Sequence, residues 1–314
     1  MSKAKQAPAI SEAADPYQWA ADVLLLRFDE AASFSGAVMV EWNVNAVHDM
    51  RVALRRLRSA LQDFGQMIDG KSLKRIKADL KKIAAALGEV RDLDVAIAAL
   101  EDLSLETQED SIRTGIDELI NELKNGREKA HARVHKTLRS IAFEDLRVRF
   151  LHLIDDSLRQ QQLFRPTNLN EVGRGVIDAR LRDFCSLVGS IYVPFDGLRL
   201  HELRIAAKRL RYALELFAPA CPDKIGGFAK EISKLQSHLG ELHDCDLWIE
   251  NLSGRLTKKD SLRTGKAAIP LAAAWLLARF VDKRGQYYRK AIDLWLEWIA
   301  NDLINRLQTR LAAL

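Results

Sequence analysis

The sequence predicts an all-α protein made of two four-helix bundles, and three observations support this class. The 314 residues include only 16 Gly and 7 Pro, and hairpin-turn signals between alternating strands are nearly absent. Apolar residues recur at steps of three and four, which is the period of an amphipathic helix. An internal repeat is also present, because one long run of residues occurs twice.

The two copies of the repeat lie about 153 residues apart. Residues 48–64 read HDMRVALRRLRSALQDF and residues 201–217 read HELRIAAKRLRYALELF, with nine of seventeen positions identical. Further along the chain, LGEVRDLDV at 87–95 matches LGELHDCDL at 239–247. The chain therefore contains the same helical unit twice.

The helices of each copy follow from two apolar stripes. In the first copy the stripes run from Val47 to Phe64 and from Leu73 to Val90. In the second copy they run from Leu200 to Phe217 and from Ile225 to Leu242. Such stripes bury one face of a helix against partner helices. Roughly four helices per copy follow, which is the content of a small bundle.

The repeat also predicts the domain organisation. We expect residues 15–165 to form the first helical bundle and residues 166–314 the second, with the two related by a pseudo-twofold axis. Residues 1–14 lack an apolar signal region and are expected to be a disordered tail.

A basic stripe lies one position after the first apolar stripe of each copy. Residues one position apart on a helix are about 100° apart around its axis, so the basic face flanks the buried face. The sequence therefore predicts a partly sheltered cationic groove between helices. Its members are His48, Arg51, Arg55 and Arg58 in the first copy, and His201, Arg204, Lys208 and Arg211 in the second.

Further basic rows occur on the following helices. These positions extend the candidate anion-binding set, although the second copy has Gly226, Ala229 and Ser233 where the first has its lysines. The additional members are Lys74, Lys77, Lys81, Arg127, His131, Arg279 and Lys283.

The charge and motif content leave several functions open. A net charge of +5 allows a nucleic acid, an anionic membrane surface or a phosphate-rich ligand. The basic stripes can also be solvated faces paired with Asp92, Asp94, Asp244 and Asp246. A phosphohydrolase that uses a metal held by paired acids is another alternative. The sequence has no Gly-rich phosphate loop, nucleophile elbow or zinc-protease motif.

Histidines and aromatic residues bear on two of these alternatives. His48 and His201 could meet at the pseudo-twofold axis and hold a metal, but neighbouring arginines would repel a cation. We therefore expect neither a metal nor another cofactor. Few aromatic residues interleave with the basic stripes, and Tyr212 is the nearest. This argues against a reader of single-stranded nucleic acid, which needs stacking platforms.

Cysteine usage and hydropathy indicate a cytoplasmic protein. The three cysteines, Cys185, Cys221 and Cys245, are widely spaced and form no Cys-x-x-Cys pair. The longest apolar run, 267–278, has twelve residues and contains a proline, so it is too short to span a bilayer. We expect a reduced chain without disulfides and without a membrane anchor.

The paired motifs resemble the CHAD domain, the conserved histidine α-helical domain. The resemblance extends over about residues 15–310 and rests on both half-motifs. It implies two four-helix bundles with a basic central groove, binding of inorganic polyphosphate, and association with polyphosphate granules. Because the sequence has no catalytic motif of the kinds named above, we expect this binding to be non-catalytic. The Glu-x-Glu-x-Lys motif of the triphosphatase domain that is fused to some family members does not occur. In the half-motifs the resemblance adds Arg56 and Arg209 to the candidate ligand contacts.

Overall fold

The computed structural model describes residues 15–40, 43–65, 67–68, 71–160, 168–220, 222–257 and 268–313. Within these ranges every regular element is a helix, and no strand occurs. The all-α prediction is therefore confirmed. The expected tail over 1–14 and the expected boundary between residues 165 and 166 lie outside the described residues.

The helices are long and follow the apolar stripes. The first half of the chain contains α1 (Pro16–Ala32), α2 (Ser35–Val40), α3 (Val44–Asp63), α4 (Lys71–Ser104), α5 (Asp110–Ser140) and α6 (Phe143–Gln160). The second half contains α7 (Leu169–Leu187), α8 (Gly197–Phe217), α9 (Pro222–Thr257), α10 (Ala268–Ala300) and α11 (Leu303–Ala312). Short 3₁₀ helices at Val188–Tyr192 and Ala218–Ala220 follow α7 and α8.

The residues that cap the helix N-termini are duplicated together with the rest of the sequence. Asp15 caps α1 by accepting from Tyr17 N at 2.9 Å, and Asn168, 153 residues later, caps α7 in the same way. Asn43 caps α3 by accepting from backbone N–H groups, and Asp196, again 153 residues later, caps α8. Each such cap contributes about 1 kcal/mol to helix stability. The duplication therefore extends to the polar residues that begin the helices.

The two motif helices, α3 and α8, pack against each other. Phe64 and Phe217 occupy equivalent positions at the ends of the two motifs, and their ring centroids are 6.1 Å apart. Trp19 of α1 contacts both rings, at 5.9 Å and 5.5 Å. Because offset and edge-to-face aromatic pairs add stabilisation beyond burial, this cluster ties the two halves together.

The apolar core is shared between the halves. One large cluster contains buried residues from α1 to α11. A second, smaller cluster contains Leu100 of α4 and Ile116 of α5 together with Leu252 of α9 and Leu276 of α10. The long helices therefore leave the main core and meet again in a bundle built from both repeats. The division into separate bundles over 15–165 and 166–314, and the twofold axis between them, stay predictions.

Candidate anion-binding site

A cleft of about 600 Å³ lies beside the contact between α3 and α8. We call it the central cleft. Its walls come from these two helices and from α4, α5 and α9. Among the described residues, seven cationic side chains and two carboxylates line it. The cations are Arg51, Arg55, Arg58, Arg91, Arg204, Lys208 and Arg255, and the carboxylates are Asp92 and Asp244.

Two glycines mark where arginine side chains lie along neighbouring helices. A Cβ at Gly88 of α4 would be 3.8 Å from Arg51 Nε. A Cβ at Gly240 of α9 would be 3.9 Å from Arg204 Cδ. Gly88 and Gly240 are equivalent positions of the repeat, and so are the two arginines. Both repeats therefore direct an arginine onto the helix that follows.

The cationic side chains of the cleft are incompletely neutralised. The pKa of Lys208 is lowered to about 7, first by burial and then by the nearby Arg204, Arg55 and Arg51. Burial also lowers the pKa of Arg55 and of Arg204, and Arg51 adds to both shifts. The Nε atoms of these two arginines are buried and have no hydrogen-bond partner among the described residues. Such donors suit an anion that enters the cleft.

The motif histidines lie at the same place. His48 lines the cleft, and the His201 ring packs on the ring of His243, which also lines it, at a centroid distance of 4.0 Å. Burial lowers the pKa of His48, and Arg91 adds to the shift. The pKa of His201 is lowered to about 4 by burial and then by His243 and Arg204. Both motif histidines are therefore neutral near pH 7.

The four aspartates of the duplicated motif divide between two faces. Asp92 and Asp244 line the cleft, and Asp92 Oδ1 lies 3.6 Å from Arg51 Nη2. Asp94 and Asp246 face the helix that follows, where they hold Arg127 at 3.4 Å and Arg284 at 2.5 Å. Residues two apart on a helix point to different faces, which explains the division. Three of these aspartates thus orient basic side chains.

The pKa of the Asp244 carboxyl group is raised, first by desolvation against the opposing effect of Arg204 and then by the nearby Asp92. The two carboxylates of the cleft are thus close enough to influence each other. Among the described residues, no three His, Cys, Asp or Glu side chains are grouped as metal ligands.

Comparison with known proteins identifies the family. A family model described as the CHAD domain matches residues 22–253. The chain belongs to the CHAD domain family. The resemblance that the paired motifs carry is therefore confirmed. No curated protein matches the chain.

Solved structures share this fold. The CHAD domain from the plant Ricinus communis is 21% identical with a TM-score of 0.65, covering 98% of this chain and 96% of that chain. PptA from Streptomyces chartreusis is 16% identical with a TM-score of 0.64, covering 90% of this chain and 100% of that chain. At these identities the likeness shows the CHAD fold alone.

Two motif arginines of this CHAD chain point away from the central cleft. Arg56 faces α1, where its Nη1 lies 3.7 Å from the buried Glu30, which also binds Arg27 at 2.9 Å. Arg209 is exposed and does not line the cleft. Each lies one residue beyond a cleft-lining cation, and one residue turns the side chain about 100° away.

The basic stripe of α8 contributes fewer side chains to the cleft than the basic stripe of α3. Arg211 lies over the Tyr212 ring at 4.7 Å and also contacts Ser233 and Glu215 instead of lining the cleft. His201 reaches it only through His243. The two repeats therefore make unequal contributions, with four side chains from α3 and two from α8 among the described lining residues.

The rows on α5 and α10 lie elsewhere. His131 packs on His135 with ring centroids 4.5 Å apart, at a separate surface depression. Arg279 lies over the Trp275 ring at 4.8 Å, and Lys283 approaches Glu106 at 4.0 Å. Together with Arg127, these residues interact with their own neighbours, because α5 lines the cleft through Leu119 and Leu123 and α10 does not line it.

The lysine row of α4 continues the cleft along the helix. Lys74, Lys77 and Lys81 do not line the cleft itself. They precede Gly88 and Arg91 at steps of three and four, so they share the helix face that does. The row therefore forms a cationic extension at one end of the cleft.

Sequence reasoning missed several residues that line the cleft. Arg91 and His243 occupy equivalent positions in the duplicated LGEVRDLDV and LGELHDCDL segments, so the repeat contained a signal for them. Trp248, Asn251 and Arg255 come from later turns of α9. No basic or duplicated pattern marks those three, and only the path of α9 brings them to the cleft.

In the described part of the chain, no helix combines the length and the hydropathy that crossing a bilayer requires.

Proposed function

We propose that this CHAD-domain protein binds inorganic polyphosphate in the central cleft and does not hydrolyse it. The observation that carries this proposal is the charge of the cleft. Seven cationic side chains and two carboxylates line one cavity of about 600 Å³ in the described structure. Membership of the CHAD family supports the same ligand.

The chemistry of the lining suits a linear polyanion. Arginine offers a planar fork of N–H donors for phosphate oxygens, and lysine acts as a compact charge. Several phosphates in one cleft would release the counterions that surround a free polyphosphate chain, and this release favours binding. No base needs to be read, so phosphate contacts alone suffice for the affinity.

The electrostatics of the cleft favour an anion. Lys208 has a pKa of about 7 because burial and its cationic neighbours disfavour its charge. A bound polyanion supplies the missing negative charge and would raise this pKa towards its ordinary value. Binding should therefore take up a proton near neutral pH, in addition to its electrostatic gain.

We further propose that this binding takes place in the cytoplasm and brings the protein to polyphosphate granules. The reduced state expected of its cysteines supports a cytoplasmic location. Fluorescence imaging of a tagged protein, with and without polyphosphate synthesis in the host cell, tests the proposal. Loss of granular foci when polyphosphate is absent is the expected result, and foci that persist would contradict it.

Charge reversal tests the site. Replacing Arg51, Arg55 and Arg58 with Glu should abolish measurable binding of long-chain polyphosphate in a calorimetric titration, because the changes place three carboxylates in the cleft. The milder pair Arg51→Gln and Arg58→Gln guards against misfolding, and circular dichroism checks each variant. The control carries the same change of charge at exposed arginines outside the cleft, at Arg182, Arg289 and Arg310. Equal losses in both triple variants would mean non-specific attraction.

Salt dependence and product analysis separate binding from its alternatives. With about 0.7 counterions released per contact, seven contacts predict that log K falls with log salt at a slope of about −5. Phosphate release from polyphosphate, with and without divalent metal, should stay at the level of a protein-free control. Metal-dependent release would establish a phosphohydrolase. Equal competition by single-stranded DNA would establish a general polyanion binder.

A further inference from the structure

The central cleft has an apolar end that polyphosphate does not need. Polyphosphate presents only phosphate oxygens, so it gains nothing from hydrocarbon surface. Two of the apolar side chains here remain accessible, since Val95 is 39% exposed and Leu247 is 52% exposed. The apolar lining consists mainly of Val95, Leu100, Leu119, Leu123, Leu247, Trp248 and Leu252.

A fixed aromatic ring stands at this end. The indole of Trp248 stacks on Phe280 with a centroid distance of 5.0 Å and an interplanar angle of 9°. This stack covers one face of the indole and limits its rotation. The half-buried side chain also borders the cleft. A held aromatic ring beside a phosphate-binding region is the arrangement that stacks nucleobases in single-strand binders.

Polar groups accompany the aromatic ring. Arg255 donates from Nε to the side-chain oxygen of Asn251 at 3.0 Å and from Nη1 to Glu122 at 2.8 Å. The first bond uses the Asn251 oxygen and leaves its two amide N–H donors for a ligand acceptor. An alkyl chain would desolvate these groups without compensation, whereas the nitrogen and oxygen atoms of a heteroaromatic base can bind them.

The two ends are spaced along one helix face. His243 and Asp244 border the cationic end, and Trp248 and Asn251 follow on the same face of α9. At 1.5 Å per residue, the aromatic position lies roughly 6 Å and the amide position roughly 10 Å beyond Asp244. This is the scale of a nucleoside that carries its phosphates towards Arg204.

We propose that the central cleft also binds nucleoside 5′-polyphosphates, with the phosphate chain among the arginines and the base against Trp248 and Asn251. The phosphate end of this inference rests on the proposed function. The base end rests on the stacked indole, the accessible apolar lining and the oriented amide. Such ligands would compete with polyphosphate for the cationic end.

The test compares ATP with inorganic tripolyphosphate in metal-free buffer. Tripolyphosphate has one more ionisable terminal oxygen, so electrostatics alone favour it. We expect ATP to bind about tenfold tighter, in the range of a single base stack. Trp248→Leu should remove this advantage and leave tripolyphosphate binding unchanged. Trp275→Leu, an indole outside the cleft, should leave both affinities unchanged. Asn251→Ala should weaken the binding of ATP and not that of tripolyphosphate. It serves as a second probe if the Trp248→Leu variant does not fold.

The other outcomes overturn the inference in distinguishable ways. Equal affinities for ATP and tripolyphosphate, with long polyphosphate still bound, would refute the base site and keep the proposed function. An ATP advantage that survives both Trp248→Leu and Asn251→Ala would place the base elsewhere and refute this site. If farnesyl diphosphate bound more tightly than inorganic tripolyphosphate and ATP did not, the apolar end would be an alkyl pocket instead. Failure of long polyphosphate to bind would remove the proposed function and this inference together.

Discussion

Lys208 is a lysine whose pKa falls to about 7 in the folded protein, because burial and neighbouring arginines disfavour its charge. In the unfolded chain its pKa returns to 10.5, the ordinary value. Between these values the unfolded chain binds the additional proton, so the contribution of Lys208 to stability rises with pH in this window. Below pH 7 the cost of the charged lysine is fully present. The positive charge that suits Lys208 to an anion therefore lowers the stability of the fold.

Replacing Lys208 with Met should stabilise the protein and weaken polyphosphate binding. The change keeps the apolar stem and removes the charge, so the gain in unfolding free energy should be largest below pH 7, on the order of a few kcal/mol. The gain should shrink as pH rises towards 10. Thermal unfolding across this pH range measures it. Lys230→Met, at an exposed position of α9, is the matched control and should change stability by less than about 0.5 kcal/mol. A Lys208→Met gain that is independent of pH would contradict this account.

At the level of single residues, periodicity predicts which face a side chain lies on and fails for the contacts beyond its own helix. Arg51, Arg55 and Arg204 line the cleft, as the stripe beside the core indicates. Arg56 and Arg209 share the same motif but do not line the cleft. The direction of Arg56 depends on where Glu30 of α1 lies, and no local pattern contains that information.

At the level of helices, α5 and α10 approach each other closely at Gly115. A Cβ on this residue would lie 2.2 Å from the backbone oxygen of Ala268 and 2.7 Å from the Cβ of Ala272. Backbone atoms cannot move aside as the end of a flexible side chain can. The contact between the two halves at this point therefore depends on glycine, because any side chain would push the helices apart.

Gly115→Ala should destabilise the protein although alanine is the better helix former. The helix propensity gain of about 1 kcal/mol is outweighed by the clash with α10. Gly285→Ala is the control, because a Cβ at that position of α10 meets nothing within 4 Å. The control should raise the unfolding temperature while Gly115→Ala lowers it, as measured by circular dichroism. Stabilisation by both changes would show that the helices can separate here without cost.

The helices themselves were largely predictable, and their partners were not. The four apolar stripes correspond to α3, α4, α8 and α9, since each stripe needs a buried face. The smaller core cluster joins ends of helices from both repeats, so it does not follow the repeat boundary. Hydrophobic periodicity specifies that a face is buried, but the complementary surface can come from any helix of similar shape.

At the level of the whole molecule, the duplication has produced one asymmetric cleft. Equivalent arginines reach it from both repeats, yet α3 contributes more lining than α8. Only the first repeat continues the cationic surface along its second helix, through Lys74, Lys77 and Lys81. From Lys74 to Arg91 is seventeen residues, about 25 Å of helix. A long chain that leaves the cleft at this end would meet these lysines, whereas a short chain would not reach them.

Neutralising the lysine row should therefore selectively weaken the binding of long polyphosphate chains. Replacing Lys74, Lys77 and Lys81 with Gln removes three contacts, so the salt slope for long-chain polyphosphate should become shallower by about two. Tripolyphosphate fits within the cleft, and its affinity should stay unchanged. The same substitutions at exposed Lys129, Lys230 and Lys290, which lie on other faces, form the control and should alter neither slope. Titrations of both ligands at several salt concentrations measure the effect. An equal loss for tripolyphosphate would mean that the row acts on the cleft itself, and an unchanged long-chain slope would mean that the chain takes another path.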